Sequence, residues 1–306
     1  MYPDLYYLFR ELFGVEWSFL HFLNIFGLFV ALSFVAGAYF LRKEFLRKEA
    51  EGIFSDAAAL IDPAKPAGVK PSESVASISF FCTIMGIFLG KLFYIFENYG
   101  TGNVTSLLFS FSGINFYGSL VGILLAAIIY YRYNNIKLSN IFDSSAPGLM
   151  LSYGTGRLGC HISGDGDWGI VNTTPKPFSF IPDWLWAYDY PHNVARQGII
   201  MNQCDWGNYC YKLAEPVWPT SVYEFIACLI LFLFLWKIRK KIPGPGFLMA
   251  LYLILTGIER FSFEEIRVNP VINGLNLTQA QLVSILFVAF GAIWMAKILW
   301  RKKYSA

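Results

Sequence analysis

The chain has few charged residues, few histidines and no closely spaced cysteine motif, and each shortage excludes a class of protein. Only 15% of its 306 residues are charged, whereas water-soluble domains carry about 25%, which excludes an ordinary soluble domain. Its three histidines are scattered and no Cys-x-x-C pair occurs, so we expect neither a metal site nor a cofactor. The net charge of +3 is too small to indicate nucleic acid as a partner.

The chain is instead rich in apolar and aromatic residues. They make up 56% and 18% of the chain, and the mean hydropathy is +0.47. A helix that crosses a bilayer needs about 20 apolar residues, and seven stretches of the sequence qualify or nearly so: 18–41, 75–96, 114–132, 143–160, 220–237, 246–263 and 279–299. The fourth contains Pro147 and is a span only if neighbouring helices satisfy its freed backbone groups. The sequence therefore predicts an all-α integral membrane protein with seven transmembrane helices in a lipid bilayer.

The distribution of lysine and arginine predicts the orientation of these helices. Basic residues follow the first, third, fifth and seventh stretches: Arg42, Lys43, Arg47, Lys48, Arg132, Lys137, Lys237, Arg239, Lys240, Lys241, Arg301, Lys302 and Lys303. The loop 97–112 has none, and the long segment 161–219 has only three. Because cytoplasmic loops are enriched in basic residues, we expect the N-terminus outside and the C-terminus in the cytoplasm.

We expect three regions along the chain. Residues 1–160 hold an extracytoplasmic N-terminal segment and four spans, and residues 220–306 hold three spans and a cytoplasmic tail. Residues 161–219 are too many for a bare connection and predict a small extracytoplasmic cap. The tryptophans and tyrosines of the cap favour the headgroup zone, either as a simple anchor or as a surface that handles lipid headgroups. Whether its two cysteines, Cys204 and Cys210, form a disulfide is left open by the sequence.

Ionisable residues inside the spans are the first candidates for function, since each costs about 2.5–3.5 kcal/mol to insert. The strong cases are Lys91, Arg157, Glu259, Arg260 and Glu264. For each, the alternative is an ion pair that only holds helices together.

The two arginines have the most suggestive surroundings. Arg157 lies among three glycines in the segment 153–160, which lets the backbone approach a neighbour closely and leaves a groove. Helical spacing places Arg260, Glu264 and Arg267 on one face. Both Arg157 and Arg260 lie near the outer ends of their spans, so we expect two guanidinium groups to converge on a phosphate diester, whose oxygens match their fork of donors.

Several ordered blocks resemble those of the prolipoprotein diacylglyceryl transferase family. The clearest are Gly156-Arg157-Leu158-Gly159 with Trp168-Gly169, Pro219-Thr220-Ser221-Val222-Tyr223-Glu224, and Arg260-Phe261 with Glu264 and Arg267-Val268-Asn269-Pro270. Weaker similarities are Gly90-Lys91-Leu92-Phe93-Tyr94 and Phe116-Tyr117-Gly118-Ser119-Leu120-Val121-Gly122. Together they run in the family's order from about residue 15 to residue 300.

The resemblance implies a bacterial inner-membrane enzyme without a cofactor. Members of the family move the diacylglyceryl group of phosphatidylglycerol onto the lipobox cysteine thiol of a preprolipoprotein and release glycerol phosphate. The implied partners are therefore phosphatidylglycerol and preprolipoprotein signal peptides, both of which arrive from the bilayer, so we expect a cavity that opens sideways between helices.

The resemblance also implies roles for residues. Arg157 and Arg260 would stabilise the phosphate charge, and Glu264 would orient Arg260. Tyr117, the fourth catalytic candidate, stands where the family commonly has a histidine proposed as a general base, and a tyrosine there can hydrogen-bond a phosphate or relay a proton. The substrate-binding candidates are Tyr94, Gly159, Cys160, Asp165, Gly169, Tyr223, Glu224 and Arg267. Glu224 would position substrate hydroxyls or structure the junction with the cap.

Three departures from the family pattern leave the general base unassigned. Tyr117-Gly118-Ser119 replaces His-Gly-Gly, Trp218-Pro219-Thr220 replaces His-Pro-Thr, and Cys160 replaces an asparagine. His161 is an alternative base, although a hydrogen-bonded interfacial histidine is the simpler interpretation. Cys160 is either a small packing residue or a thiol that takes the lipid first.

These departures also keep two other functions open. One is a membrane transporter of lipid or of a small solute, in which Lys91, Arg157 and Arg260 line the pathway. The other is a family relative with an altered substrate or without catalysis, motivated by Tyr117 and Trp218.

Overall fold

A computed structural model describes most of the chain: residues 1–54, 70–99, 115–134, 138–272 and 274–304. Residue 114, where the third predicted span begins, lies outside these ranges. Lys137 and most of the 97–112 loop, both used to predict orientation, also lie outside them.

Helices dominate the described residues. They are α1 (Leu5–Phe13), α2 (Ile25–Ala50), α3 (Pro71–Glu97), α4 (Phe116–Tyr133), α5 (Leu138–Ser163), α6 (Asp183–Trp186), α7 (Thr220–Ile238), α8 (Phe247–Glu264) and α9 (Gln279–Tyr304). A two-stranded antiparallel sheet pairs β1 (Ile199–Ile200) with β2 (Tyr211–Lys212). A long helix overlaps each of the seven apolar stretches.

Four of the described helices are long and apolar enough to cross a membrane: α2, α3, α7 and α9. The other three long helices differ for identifiable reasons. The apolar part of α4 is shorter, α5 contains many polar and small residues besides Pro147, and α8 carries Glu259, Arg260 and Glu264. Polar groups within a helix of this kind need partners from the same protein rather than from lipid.

The first predicted span, 18–41, has the wrong boundaries. Residues Ser18–Phe22 form a separate 3₁₀ turn, and α2 begins only at Ile25. Asn24 explains the start, because its side-chain oxygen accepts the Gly27 N–H at 2.5 Å. The helix continues to Ala50, and the ion pair between Glu44 and Arg47 one turn later supports this last part of it.

The chain divides into two compact units, of which the second comprises Ala38–Ser144. Its core contains Phe45, Val75, Ile78 and Tyr131. Within it α3 and α4 pack closely at the glycines of α4. A Cβ atom on Gly122 would lie 2.3 Å from the carbonyl oxygen of Met85, so this crossing requires glycine. The glycines of the 116–122 block therefore serve helix packing.

The first unit comprises Met1–Gly37 and Ser145–Ala306. In it α8 packs along α9, and a Cβ atom on Gly257 would lie 2.7 Å from the carbonyl oxygen of Ser284. The predicted cap region holds α6, β1 and β2 over a small core of Trp168, Tyr190 and Val217. Cys204 and Cys210 of the cap, whose pairing the sequence left open, form a disulfide.

Backbone pairing in the cap joins three distant segments. The N–H of Gly169 donates to the carbonyl of Trp218 at 2.9 Å, and the N–H of Ile170 donates to the carbonyl of Ile266 at 2.9 Å. A Cβ atom on Gly169 would lie 2.6 Å from that same Ile266 oxygen, so only glycine permits the approach. The pairing brings the segment after α5, the start of α7 and the end of α8 to one place.

Candidate active site

Six charged side chains meet where these three segments join, and we refer to them as the charge cluster. Its members are three arginines and three carboxylates: Arg157, Arg260, Arg267, Asp167, Glu224 and Glu264. The formal charges balance, which is the condition under which several charges are tolerated away from water.

Glu224, in the first turns of α7, lies at the centre of the charge cluster. Its Oε2 contacts Arg157 Nε at 2.7 Å. Its Oε1 contacts Arg267 Nη1 at 2.8 Å and Arg260 Nη1 at 3.4 Å. The Glu224 side chain has no exposed surface. A single buried carboxylate therefore fixes all three guanidinium groups.

Asp167 binds two of the same arginines from the cap side. One carboxylate oxygen pairs with Arg157 and the other with Arg267. The hydroxyls of Thr220 and Ser221 donate to the Asp167 carbonyl oxygen, which holds the loop against the start of α7.

Glu264 completes the charge cluster at the end of α8. Its Oε2 lies 2.8 Å from Arg260 Nη2, as expected for a pair one helical turn apart. Its Oε1 accepts hydrogen bonds of 2.7 Å from Asn269 and from Thr278. Glu264 is thus held on both sides and orients Arg260.

The prediction that Arg267 shares a helix face with Arg260 and Glu264 is wrong. The helix ends at Glu264, and Arg267 lies in an extended bridge opposite Gly169. That bridge, rather than helical spacing, carries the Arg267 side chain to Glu224 and Asp167. Gly169 accordingly positions the charge cluster through its backbone.

The six side chains of the charge cluster differ in solvent exposure. The side chains of Glu224 and Glu264 are 0% exposed and that of Arg267 is 4% exposed, whereas Arg157, Arg260 and Asp167 are 14%, 18% and 33% exposed. Glu224 and Glu264 therefore lie on the buried side of the charge cluster. Arg157, Arg260 and Asp167 lie on its solvent-accessible side, which we call the accessible edge.

A family model described as prolipoprotein diacylglyceryl transferase matches residues 17–297, almost the whole chain. The chain belongs to that family. The resemblance seen in the sequence blocks is thereby confirmed, and the protein is a transferase of the lipoprotein-biosynthesis family and a multi-pass membrane protein.

Individual relatives carry the same name. A phosphatidylglycerol–prolipoprotein diacylglyceryl transferase of Leptospira interrogans is 28% identical over an alignment of 342 positions, covering 99% of this chain and 97% of that protein. The enzyme of that name from Dehalococcoides mccartyi is 28% identical over 221 positions, covering 71% of this chain and 74% of its own length. One from Treponema denticola is 30% identical over 182 positions, covering 58% and 52%.

Two aspartates of the cap loop have opposite pKa shifts in this transferase. Burial alone raises the pKa of Asp167, but the charges of Arg157 and Arg267 outweigh burial, and the pKa lies below its ordinary value of 3.8. Burial and the neighbouring charge of Asp167 raise the pKa of Asp165. Asp165 accepts the backbone N–H of Asp167 at 3.3 Å, so it supports the loop, while Asp167 binds the arginines.

Several other predicted site residues have packing or hydrogen-bonding roles in the structure. Gly159 packs against Phe29, where a Cβ atom would lie 2.5 Å from the Phe29 Cβ. Cys160 is a buried free thiol, and the ring of the buried His161 is hydrogen-bonded to the Tyr190 hydroxyl at 3.0 Å. The Tyr223 hydroxyl donates to the Leu185 carbonyl oxygen at 2.7 Å, linking α7 to α6.

Tyr94 and Tyr117 belong to the other unit. Tyr94 lies on α3, where the Lys91 ammonium stands 5.4 Å from the centre of its ring, and Tyr117 lies in the first turn of α4. Both remain candidates from the sequence.

One group of described residues has the geometry of a metal site. Ligand atoms of Cys160, Asp165 and Asp167 all lie within 4.8 Å of one another. Both oxygens of Asp167 are already paired with guanidinium groups, so the donor set suits an ion pair better than a cation.

Sequence reasoning missed two members of the site. Asp167 is the second aspartate of a Gly-Asp-Gly-Asp loop. Because glycine and aspartate alternate there, the sequence gives no reason to prefer Asp167 over Asp165 as a site residue. Tyr153 donates its hydroxyl to Glu224 Oε2 at 2.9 Å and accepts from Arg157 Nε at 3.2 Å. Tyr153 could have been identified from its position one helical turn before Arg157, since residues four apart on a helix are neighbours.

Proposed function

We propose that this protein transfers the diacylglyceryl group of phosphatidylglycerol to the lipobox cysteine thiol of preprolipoproteins, releasing glycerol phosphate. The observation that carries the proposal is the convergence of Arg157 and Arg260 on Glu224. Their guanidinium groups are held in place before any lipid arrives, which is what electrostatic stabilisation of a reacting phosphate requires. Family membership supports the reaction class.

The accessible edge of the charge cluster has donors for a phosphate diester. Among the described residues, the closest ion-pair contacts of Arg157 use Nε and Nη1 and those of Arg260 use Nη1 and Nη2. Each guanidinium carries five N–H donors, which is more than these contacts use. A phosphate with two non-bridging oxygens pairs with donors of this kind. Asp167 shares Arg157 at the same edge, so an arriving phosphate competes with its carboxylate.

The reaction that follows is a displacement at carbon. The thiol sulfur bonds to the glyceryl carbon that carries the phosphate, and the bond between that carbon and its phosphate oxygen breaks. The electron pair leaves with glycerol phosphate, which the arginines stabilise. The phosphate also takes up the proton that the thiol loses, so the step needs no histidine at position 117. Positive charge nearby favours the thiolate.

The other predicted residues have supporting roles in this proposal. Glu264 and Glu224 orient the arginines, and Gly169 and Arg267 hold the cap loop that carries Asp167. Tyr94, Tyr117, Cys160, Asp165 and Tyr223 remain candidates for contact with substrate, as does Gly159. In this arrangement the arginines, rather than a thiol of the enzyme, bind the reacting group.

We further propose the topology indicated by the basic residues. Seven helices cross the bacterial inner membrane, with the N-terminus and the 161–219 cap outside and the C-terminus in the cytoplasm. Both substrates then reach the charge cluster laterally from the outer leaflet, beneath the cap.

One assay separates this function from the alternatives. Purified protein is mixed with phosphatidylglycerol vesicles and a lipobox peptide, and thioether lipidation and released glycerol phosphate are measured. We expect both products in equal amounts, and loss of both in Arg157→Ala and Arg260→Ala. Lipid movement without either product indicates a transporter, and lipid binding without transfer indicates a relative that has lost catalysis. Transfer at the normal rate in both variants would refute the assigned roles.

A further inference from the structure

The N-terminal segment presents a set of exposed apolar side chains just before α2. Leu12, Phe13, Trp17, Phe19 and Phe22 are 60%, 67%, 58%, 57% and 89% exposed. We call these five residues the N-terminal apolar surface. Trp17, apolar in body and polar at its indole N–H, is of a type enriched at the membrane–water boundary, and the other four side chains are wholly apolar.

The opposite side of α1 is fixed to the cap. The Tyr7 ring stacks on that of Trp206 with centroids 4.4 Å apart, and Arg10 forms an ion pair of 3.0 Å with Asp205. Trp206 and Asp205 lie within the loop closed by the Cys204–Cys210 disulfide. α1 is therefore amphipathic: Tyr7 and Arg10 contact the cap, and Leu12 and Phe13 at its end are exposed.

Backbone contacts also fix the segment against the beginning of α2. The Leu5 N–H donates to the Leu23 carbonyl at 2.9 Å, and the Ile25 N–H donates to the Pro3 carbonyl at 3.1 Å. Asp4 caps α1 and its other oxygen lies 2.9 Å from His21 Nδ1. The N-terminal apolar surface consequently cannot swing away from the end of the span.

The apolar surface continues directly onto α2. Phe26, Leu28 and Leu32 are 40%, 39% and 46% exposed, and α2 is one of the helices apolar enough to cross a membrane. A surface that immediately precedes a membrane-spanning helix with exposed apolar residues in its first turns is expected at the depth where the bilayer begins.

We propose that the N-terminal apolar surface is inserted in the headgroup–acyl boundary of the bilayer, with α1 in the membrane plane tying the cap to it. Glu11 and Glu16 are exposed beside it, so apolar burial rather than attraction to anionic lipid drives the contact. The inference rests on α2 spanning a membrane and is independent of the transferase reaction.

Spin labels on the full chain test the depth of the N-terminal apolar surface. Labels are attached at Phe13→Cys and Phe22→Cys, with Glu11→Cys on the same helix as the matched control. Cys82→Ser removes the partly exposed free thiol, while Cys160 and Cys228 are buried. Each protein is reconstituted in phosphatidylethanolamine–phosphatidylglycerol vesicles, and collision with oxygen is compared with collision with a water-soluble nickel chelate.

We expect the oxygen-to-nickel collision ratio to be severalfold higher at positions 13 and 22 than at position 11, and unchanged by added salt. Equal ratios at all three positions would place the surface in water and overturn the proposal. Dipolar broadening between labels, which indicates a second copy of the chain, would also overturn it, as would immobile labels that oxygen does not reach.

Discussion

Glu224 holds the guanidinium of Arg157 through a 2.7 Å contact between Oε2 and Nε, with no part of the Glu224 side chain exposed. Arg260 and Arg267 contact its other oxygen. Since removing one partner of a buried ion pair is strongly destabilising, the three arginines and Glu224 depend on one another. In the proposed function, the same ion-paired residues that join these segments also bind the phosphate.

Glu224→Gln keeps the shape of the side chain and removes its charge, which leaves three guanidinium groups with two carboxylates. Removing one partner from a buried pair costs about 3–5 kcal/mol. We expect a clear fall in the thermal unfolding midpoint and loss of transferase activity. Glu215→Gln, at an exposed position of the cap, serves as the control. An unchanged midpoint for Glu224→Gln would mean that the ion pairs are not formed.

Lysine at position 157 or 260 keeps the positive charge but removes the fork of donors. Arg157 contacts Glu224 and Asp167 through different nitrogens, which an ammonium cannot reproduce. We expect a fall in the rate of thioether formation of about 10²–10³-fold, the scale of losing one preorganised donor. Arg10→Lys, outside the charge cluster, should retain the normal rate. Normal rates in Arg157→Lys and Arg260→Lys would show that charge alone suffices.

We expect substitution by asparagine to change the stability of the protein in opposite directions at the two aspartates of the cap loop, Asp165 and Asp167. Asp167 has a lowered pKa, so its contribution to stability is present above pH 3.8 and is lost as the pH falls through its value in the folded protein. Asp165 has a raised pKa, so its contribution is present at low pH and is lost as the pH rises through that value.

At neutral pH we therefore expect Asp167→Asn to lose roughly 1–3 kcal/mol and Asp165→Asn to be as stable as the natural chain or more so. Unfolding midpoints measured from pH 3 to pH 8 test both expectations. Stabilisation by Asp167→Asn would mean that the arginines do not hold this carboxylate in the folded protein.

Glu259 gives a further prediction, because its only polar neighbour within hydrogen-bonding reach among the described residues is the weakly donating thiol of Cys228. Burying an unsatisfied polar group costs about 1–3 kcal/mol, and Glu259 is only 6% exposed. We expect Glu259→Met to raise the thermal midpoint without loss of transfer, whereas Glu264→Met on the same helix should lower it. Loss of transfer in a stable Glu259→Met protein would instead assign Glu259 a role with substrate.

The helices were predictable because length and hydropathy are local properties of the chain. The error at the first span has a local cause too: Asn24 caps a helix after an apolar 3₁₀ turn, and hydropathy does not distinguish the turn from the helix. The meeting of Arg157 and Arg260, both of which contact Glu224, was predicted from their positions near the outer ends of two spans.

The positions of residues that follow the end of a helix could not be predicted from local sequence properties. Arg267 has the spacing of a helical neighbour of Glu264, yet it reaches the charge cluster through backbone pairing with Gly169, a residue about a hundred positions earlier. Pairing between distant segments depends on tertiary packing, which also decides that Asp167 rather than Asp165 faces the arginines.

The most direct measurement is the proximity of lipid phosphorus to the two arginines. Protein with ¹³C-labelled guanidinium carbons is reconstituted with phosphatidylglycerol, and ¹³C–³¹P dipolar dephasing is recorded by solid-state NMR. We predict strongly dephased signals that disappear in Arg157→Lys and in Arg260→Lys but persist in Arg10→Lys. Dephasing that is the same in all four proteins would contradict binding of the phosphate by this pair.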